Sequence, residues 1–254
     1  MHATGFCKET WEPVAVHLTD RTFVALDLRA HGDSATPEPP FDWWDTAGDV
    51  LAVVAAAALS GPVGLGHSSG AAALVMAEVL RPGTFSSLVL VEPIIFPGPR
   101  RRMEDNPMSS AALRRRRTFP SREATEQSFA ERRPFARWVP AALRAYVEHG
   151  FADRDGVRVL KCSPEAEAEY YRGAADHGTW DLMGEATCPI VLVAGEDSES
   201  HPEDFIRRQA GQFPEARLEV VAGATHLVPM EQPEAVATIV ESMTGAGRPS
   251  LAPR

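Results

Sequence analysis

The chain has 254 residues, 25 Lys and Arg against 35 Asp and Glu, and a formal net charge of −10, which argues against nucleic acid as its main partner. That length suffices for one enzyme-sized core carrying an insertion. Cys7, Cys162 and Cys188 form no paired framework and no metal-type spacing, which speaks against a disulfide scaffold and predicts free thiols in a reducing, cytoplasmic setting. In chain order, Thr22–Leu28 reads as a short apolar strand ending in the polar loop Arg29–Ser34, and Trp43–Leu59 reads as a helix. Pro62–Leu65 reads as a strand running into Gly66-His67-Ser68-Ser69-Gly70, and Ala71–Leu80 as the helix that follows. The next strand is Ser87–Val91, closed by Glu92-Pro93. This alternation predicts a mostly parallel sheet with helices on both faces.

From Phe96 to Thr187 the alternation stops and no buried strand is expected. Two stretches read as helices, Pro140–His149 and Pro164–Ala175, the second with a Glu-rich start that suits the helix dipole. The segment carries 16 basic and 14 acidic residues, about +2, while the remainder is about −12; such a shift marks a separate subdomain. Strand grammar resumes at Pro189–Gly195. It continues with a helix around Pro202–Phe213, the strand Arg217–Val221, the loop Ala222–His226 and a helix opened by Pro233. The expected organisation is a core in two parts, 1–95 and 188–244, a helical cap over 96–187, and a frayed tail over 245–254. The longest apolar run, Val50–Leu59, is far short of the roughly 20 residues that span a bilayer, so no membrane partner is expected.

Gly-x-Ser-x-Gly between a strand and a helix is the context in which a sharp turn holds a serine strained with its hydroxyl exposed. Here that serine is Ser68. Taken with His2-Ala3-Thr4-Gly5-Phe6, Asp27–Ser34 and the Gly223-Ala224-Thr225-His226 loop, the chain resembles the α/β-hydrolase family from first residue to last. The resemblance implies an α/β fold with a mostly parallel sheet, flanking helices and a helical cap where 96–187 stands. It implies Ser68 as nucleophile, His226 as its base, and an oxyanion hole of backbone N–H groups from Ser69 and from Thr4, with Gly5 the alternative donor.

The acid that orients the base stays open. Many family members place it as Gly-x-x-Asp after the strand equivalent to Ile190–Ala194, but here Gly195-Glu196-Asp197-Ser198-Glu199 puts Ser198 at that position. Asp197 or Glu199 would serve with a one-residue shift, and Glu92 matches the position used by a minority of relatives; Glu92 and Asp197 are the two candidates carried forward. Asp27, His31 and Asp33 gather groups that suit a metal, yet the loop reads as a turn satisfying backbone. No metal or organic cofactor is implied.

A serine at the elbow favours acyl chemistry over the halide or epoxide chemistry of relatives that use Asp. The expected activity is hydrolysis of a small ester, lactone or related carbonyl substrate through an acyl-enzyme. A ligand sensor or inactive hydrolase, and an acyltransferase, are the alternatives. Trp138, Phe135, Tyr146, Tyr170, Tyr171 and Trp180 are candidates to line an apolar pocket, and the Arg100–Arg102 and Arg114–Arg117 runs are candidates to attract an anion. Relatives place a strand before the His2 motif, between Phe23–Leu28 and Val63–Leu65. The recorded start is therefore expected to be internal to a longer chain.

Overall fold

The computed structural model describes residues 1–244; the tail expected over 245–254 lies outside the described residues. In chain order the first part holds α1 (Glu12–Ala15), α2 (Trp43–Ala56), β1 (Val63–His67), α3 (Ser69–Leu80) and β2 (Ser87–Val91). Then come α4 (Pro107–Leu113), β3 (Thr118–Phe119), α5 (Arg122–Ala130), α6 (Pro140–His149), β4 (Phe151–Arg154), β5 (Val157–Leu160) and α7 (Pro164–Gly173). The last part is β6 (Ile190–Gly195), α8 (Glu203–Ala210), β7 (Ala216–Val221), α9 (Val228–Glu231) and α10 (Pro233–Thr244).

The main sheet has the order β1-β2-β6-β7 with every pair parallel. Every residue of β2 and β6 is buried, as strands covered on both faces must be. The two-residue period divides them cleanly. Leu88, Leu90, Ile190 and Leu192 join α3, Trp43 and Met183 on one face, and Val89, Val91, Val191 and Val193 join Trp11, Val14, Val236 and Val240 on the other.

Two expectations fail, each for a physical reason. Thr22–Leu28 forms no strand. A ladder needs a continuous partner; beside β1 Met1 is seated, its amine donating to Leu65 O at 2.8 Å and its carbonyl accepting from His67 N–H at 3.0 Å. Leu28 N–H bonds instead to His2 Nε2 at 3.0 Å.

The 96–187 segment is also not purely helical, for β3, β5 and β4 form a small antiparallel sheet in that order. Arg154 pairs with Val157 across the two-residue loop Asp155-Gly156, whose φ values of 50° and 78° are both left-handed, as the tight hairpin turn requires. Asp-Gly is the sequence signal for that turn. Buried Phe119, Phe151 and Leu160 hold the small sheet to Phe129 and Tyr146, and the same cluster takes in Cys7, Leu227 and Met230 from the main body. The segment therefore packs on the loops that carry Thr4 and His226.

Candidate active site

Ser68 sits between the last residue of β1 and the first of α3 with φ 56° and ψ −117°, outside the small left-handed region open to residues with a Cβ. The turn is over-determined. Ser68 N–H donates to Val91 O at 2.8 Å, and its carbonyl accepts from Ala72 N–H at 3.1 Å and Ile94 N–H at 3.2 Å. Neither elbow glycine has room for a side chain. A Cβ on Gly66 would lie 2.7 Å from Ala71 Cα, and one on Gly70 would lie 2.5 Å from His2 O. Close approach of α3 to the strand and to the His2 loop is thus the reason for both, and it is backbone that would have to move.

Glu92, at the end of β2 with φ 44°, is wholly buried. Its Oε1 accepts from Gly195 N–H at 2.9 Å; its Oε2 accepts from Ser198 Oγ at 2.7 Å, Ser200 Oγ at 3.1 Å and His226 Nδ1 at 2.5 Å. Burial pushes the carboxyl upward, but the bonds from His201 and His226 outweigh it and hold Glu92 well below the usual carboxylate range. An ionised Glu92 keeps a proton on His226 Nδ1 and leaves Nε2 as the ring's lone-pair nitrogen. His67, the residue before Ser68, places the base as well: its Nε2 donates to His226 O at 2.8 Å, and the two rings are 4.9 Å apart. Burial holds His67 neutral, well below its ordinary value.

Asp197, the other candidate acid, is on the surface and meets Arg137 Nη2 at 3.1 Å, while Glu92 is the carboxylate bonded to His226. Asp197 N–H donates to Ala224 O at 2.8 Å, which fixes the loop in a register that carries its side chain to solvent. Ser198, at the position where an aspartate was sought, instead donates its hydroxyl to the acid of the neighbouring strand. Ser200 and His201 complete this shell and were not legible beforehand. His201 Nε2 donates to Pro93 O at 3.0 Å, and its Nδ1 lies 3.2 Å from Glu92 Oε2. No spacing in the sequence marks a loop residue that folds back on the preceding strand end.

On the other side of the serine, Thr4 Oγ1 donates to Ser69 Oγ at 3.0 Å, bringing the two expected oxyanion donors together. Gly5 is committed elsewhere, its N–H donating to His31 Nε2 at 2.9 Å and its carbonyl accepting from Tyr146 Oη at 3.1 Å. That leaves Thr4 as the available N–H of the loop. Ser69 opens α3, so its own N–H has no preceding turn of helix to accept it. The Asp27 loop is occupied structurally: its oxygens accept from Lys8 N–H at 2.7 Å, Lys8 Nζ at 2.8 Å and Asp33 N–H at 2.9 Å.

The remaining candidates divide. Phe135, Trp138 and Tyr146 cluster beside Phe6, two residues after Thr4, while Tyr170 and Trp180 belong to the main core and Tyr171 Oη reaches Glu167. Three of the seven arginines in the basic runs are paired: Arg102, Arg115 and Arg117 meet Glu169, Glu167 and Glu165 along α7. All three cysteines are buried, and burial pushes the Cys7 and Cys162 thiols up and Cys188 up to about 12, which removes thiolate chemistry at neutral pH.

The model of the alpha/beta hydrolase family matches residues 1–239. The chain belongs to that family. It is 29% identical over 231 residues to 2-(acetamidomethylene)succinate hydrolase of Mesorhizobium japonicum, covering 88% of this chain and 79% of that protein. It is 24% identical over 226 residues to esterase YbfF of Escherichia coli, covering 86% and 81%. Among solved structures, that of E-2-(acetamidomethylene)succinate hydrolase superposes with a TM-score of 0.83 at 26% identity, covering 96% of this chain and 89% of that one. Hydrolase chemistry is what these relatives share. Among the described residues of this alpha/beta hydrolase, no helix is long and apolar enough to cross a membrane.

Proposed function

We propose that this alpha/beta hydrolase cleaves a small carboxylic ester, lactone or related carbonyl substrate through an acyl-enzyme on Ser68. The observation that carries this reading is the buried Glu92 bonded at 2.5 Å to His226 Nδ1, with His226 O held by His67, the residue before the strained Ser68. With Nδ1 protonated, His226 Nε2 takes the proton of Ser68 Oγ as that oxygen attacks the substrate carbon. The N–H groups of Thr4 and Ser69 receive the oxyanion, each such donor contributing about 3 kcal/mol to the transition state. His226 then returns the proton to the leaving group, and water resolves the ester.

We also propose that the 96–187 segment caps the site, with Phe135, Trp138 and Tyr146 as its apolar wall and small uncharged carbonyl compounds as the first substrates to test. The similarity to 2-(acetamidomethylene)succinate hydrolase adds an acetamide-type carbonyl flanked by carboxylates as a second. The test measures p-nitrophenyl ester turnover, acetamidomethylenesuccinate turnover and fluorophosphonate labelling in wild type and Ser68→Ala. Ser68→Ala is expected to abolish labelling and lower turnover by roughly 10⁴-fold or more. Turnover unchanged in that variant ends the reading.

A further inference from the structure

We infer that the acid–base pair of this enzyme doubles as an inhibitory site for a borderline transition-metal ion of the Zn²⁺ class, formed by Glu92, His201 and His226 with Ser200 as its open corner. One ligand atom from each of Glu92, His201 and His226 lies within 4.8 Å of the other two. The three come from separate strand ends, so the fold brings them together and no local motif does. Ser200 Oγ is nearly equidistant from all three, 3.1 Å from Glu92 Oε2, 3.1 Å from His226 Nδ1 and 3.2 Å from His201 Nδ1. With Oε2 to the two Nδ1 atoms at 2.5 and 3.2 Å, five edges of a tetrahedron are fixed. A tetrahedral ion with bonds of about 2.0–2.1 Å needs edges of about 3.3 Å. Four of the five edges are within a few tenths of an ångström of that, and only the His226–Glu92 edge must open.

Pro93 O is a carbonyl and only accepts, so His201 Nε2 carries a ring hydrogen and Nδ1 is the nitrogen turned toward Glu92 Oε2. The bond that His201 Nε2 donates to Pro93 O also fixes ring orientation, as the outer partner of a ligating histidine does. Gly195 N–H holds the other carboxylate oxygen in the same way. Access exists, since Ser200 is exposed and the His226 side chain retains 28% of its surface.

Binding here has a chemical consequence. A metal on His226 Nδ1 moves that ring's hydrogen to Nε2, and the imidazole then has no lone pair with which to take the Ser68 proton. Metal affinity rests on the geometry alone; the inhibition rests on the triad reading above. The two fail separately in one experiment.

Wild type is titrated with Co²⁺ and followed by the visible absorption of four-coordinate cobalt, and fluorophosphonate labelling is timed with Zn²⁺ and with excess EDTA. Wild type is expected to take up one equivalent of cobalt and to stop labelling in Zn²⁺, with EDTA restoring it. His201→Gln is expected to weaken cobalt binding by on the order of 100-fold, the upper end of what even an outer-shell change costs. Glu92→Gln, which keeps the side chain's shape, is the second arm and also loses cobalt. No cobalt signal in folded wild type, or wild-type affinity in both variants, overturns the site. Bound cobalt with unimpeded labelling overturns the inhibition, and metal-free wild type that never labels counts against the nucleophile instead.

Discussion

Replacing Glu92 by Gln tests the acid with the least steric change, and the structure says which way the amide turns. Oε1 faces one donor that cannot change, the backbone N–H of Gly195, whereas Oε2 faces two hydroxyls and two imidazoles. Hydroxyls rotate to accept and an imidazole changes tautomer, so the amide NH₂ takes the Oε2 position and its oxygen stays on Gly195. The NH₂ then donates to His226 Nδ1 and leaves the hydrogen on Nε2, the tautomer that cannot accept the Ser68 proton. Trapping the wrong tautomer in this way costs about 10⁴ in kcat, or about 5.5 kcal/mol of barrier. The fold loses one set of charge-assisted bonds, about 2 kcal/mol, which for a chain of this size lowers the melting temperature by about 4–8 °C. Stopped-time p-nitrophenyl ester hydrolysis gives kcat, and circular dichroism confirms that the variant is folded. A folded Glu92→Gln within tenfold of wild type, or one less damaged than Asp197→Asn, refutes the reasoning.

Asp197→Asn removes an exposed pair with Arg137 and is expected to leave kcat and KM near wild type and to change stability by no more than about 0.5 kcal/mol in denaturant unfolding. Tyr146→Phe deletes a hydroxyl that accepts from Arg115 Nη2 at 2.8 Å and donates to Gly5 O at 3.1 Å; losing this anchor of the oxyanion loop lowers kcat by about tenfold with little effect on KM. The pH dependence of stability follows from buried histidines. His31 is lowered to about 3 and His177 to about 4, in both cases chiefly by burial, from an ordinary 6.5. A depressed folded-state value means that the stabilisation is complete above 6.5 and declines as the pH falls toward the folded value. At pH 5 each costs about 2 kcal/mol, so melting temperatures fall steeply between pH 7 and pH 5, and His31→Gln flattens that slope. A melting temperature independent of pH over that interval contradicts the assignment.

Much of the fold was legible in the sequence because parallel strands buried on both faces are continuous apolar runs. Ser87–Val91 and Ile190–Gly195 stand where their composition placed them, and the helices over Pro140–His149 and from Pro164 and Pro233 begin where proline opens them. The hairpin at Asp155-Gly156 has its own turn signal, which the sequence reading of 96–187 as helical passed over. Thr22–Leu28 has the composition of a strand, but a strand is a pairing and composition does not supply the partner.

For the site, the sequence by itself determined what is local. A strand, a tight turn and a helix fix the strained serine, and the glycines on either side of it answer to contacts within a few residues or with one adjoining loop. Only the tertiary structure separates Glu92 from Asp197 as partners of His226, because what distinguishes them is which carboxylate shares a buried volume with that ring, 134 residues away from Glu92 in the chain. The bond from Asp197 N–H to Ala224 O fixes a loop register that turns Asp197 to solvent and leaves Ser198, Ser200 and His201 around the other acid. Hydrogen bonds formed across three strand ends depend on distances of a few tenths of an ångström, and one-dimensional spacing does not carry them.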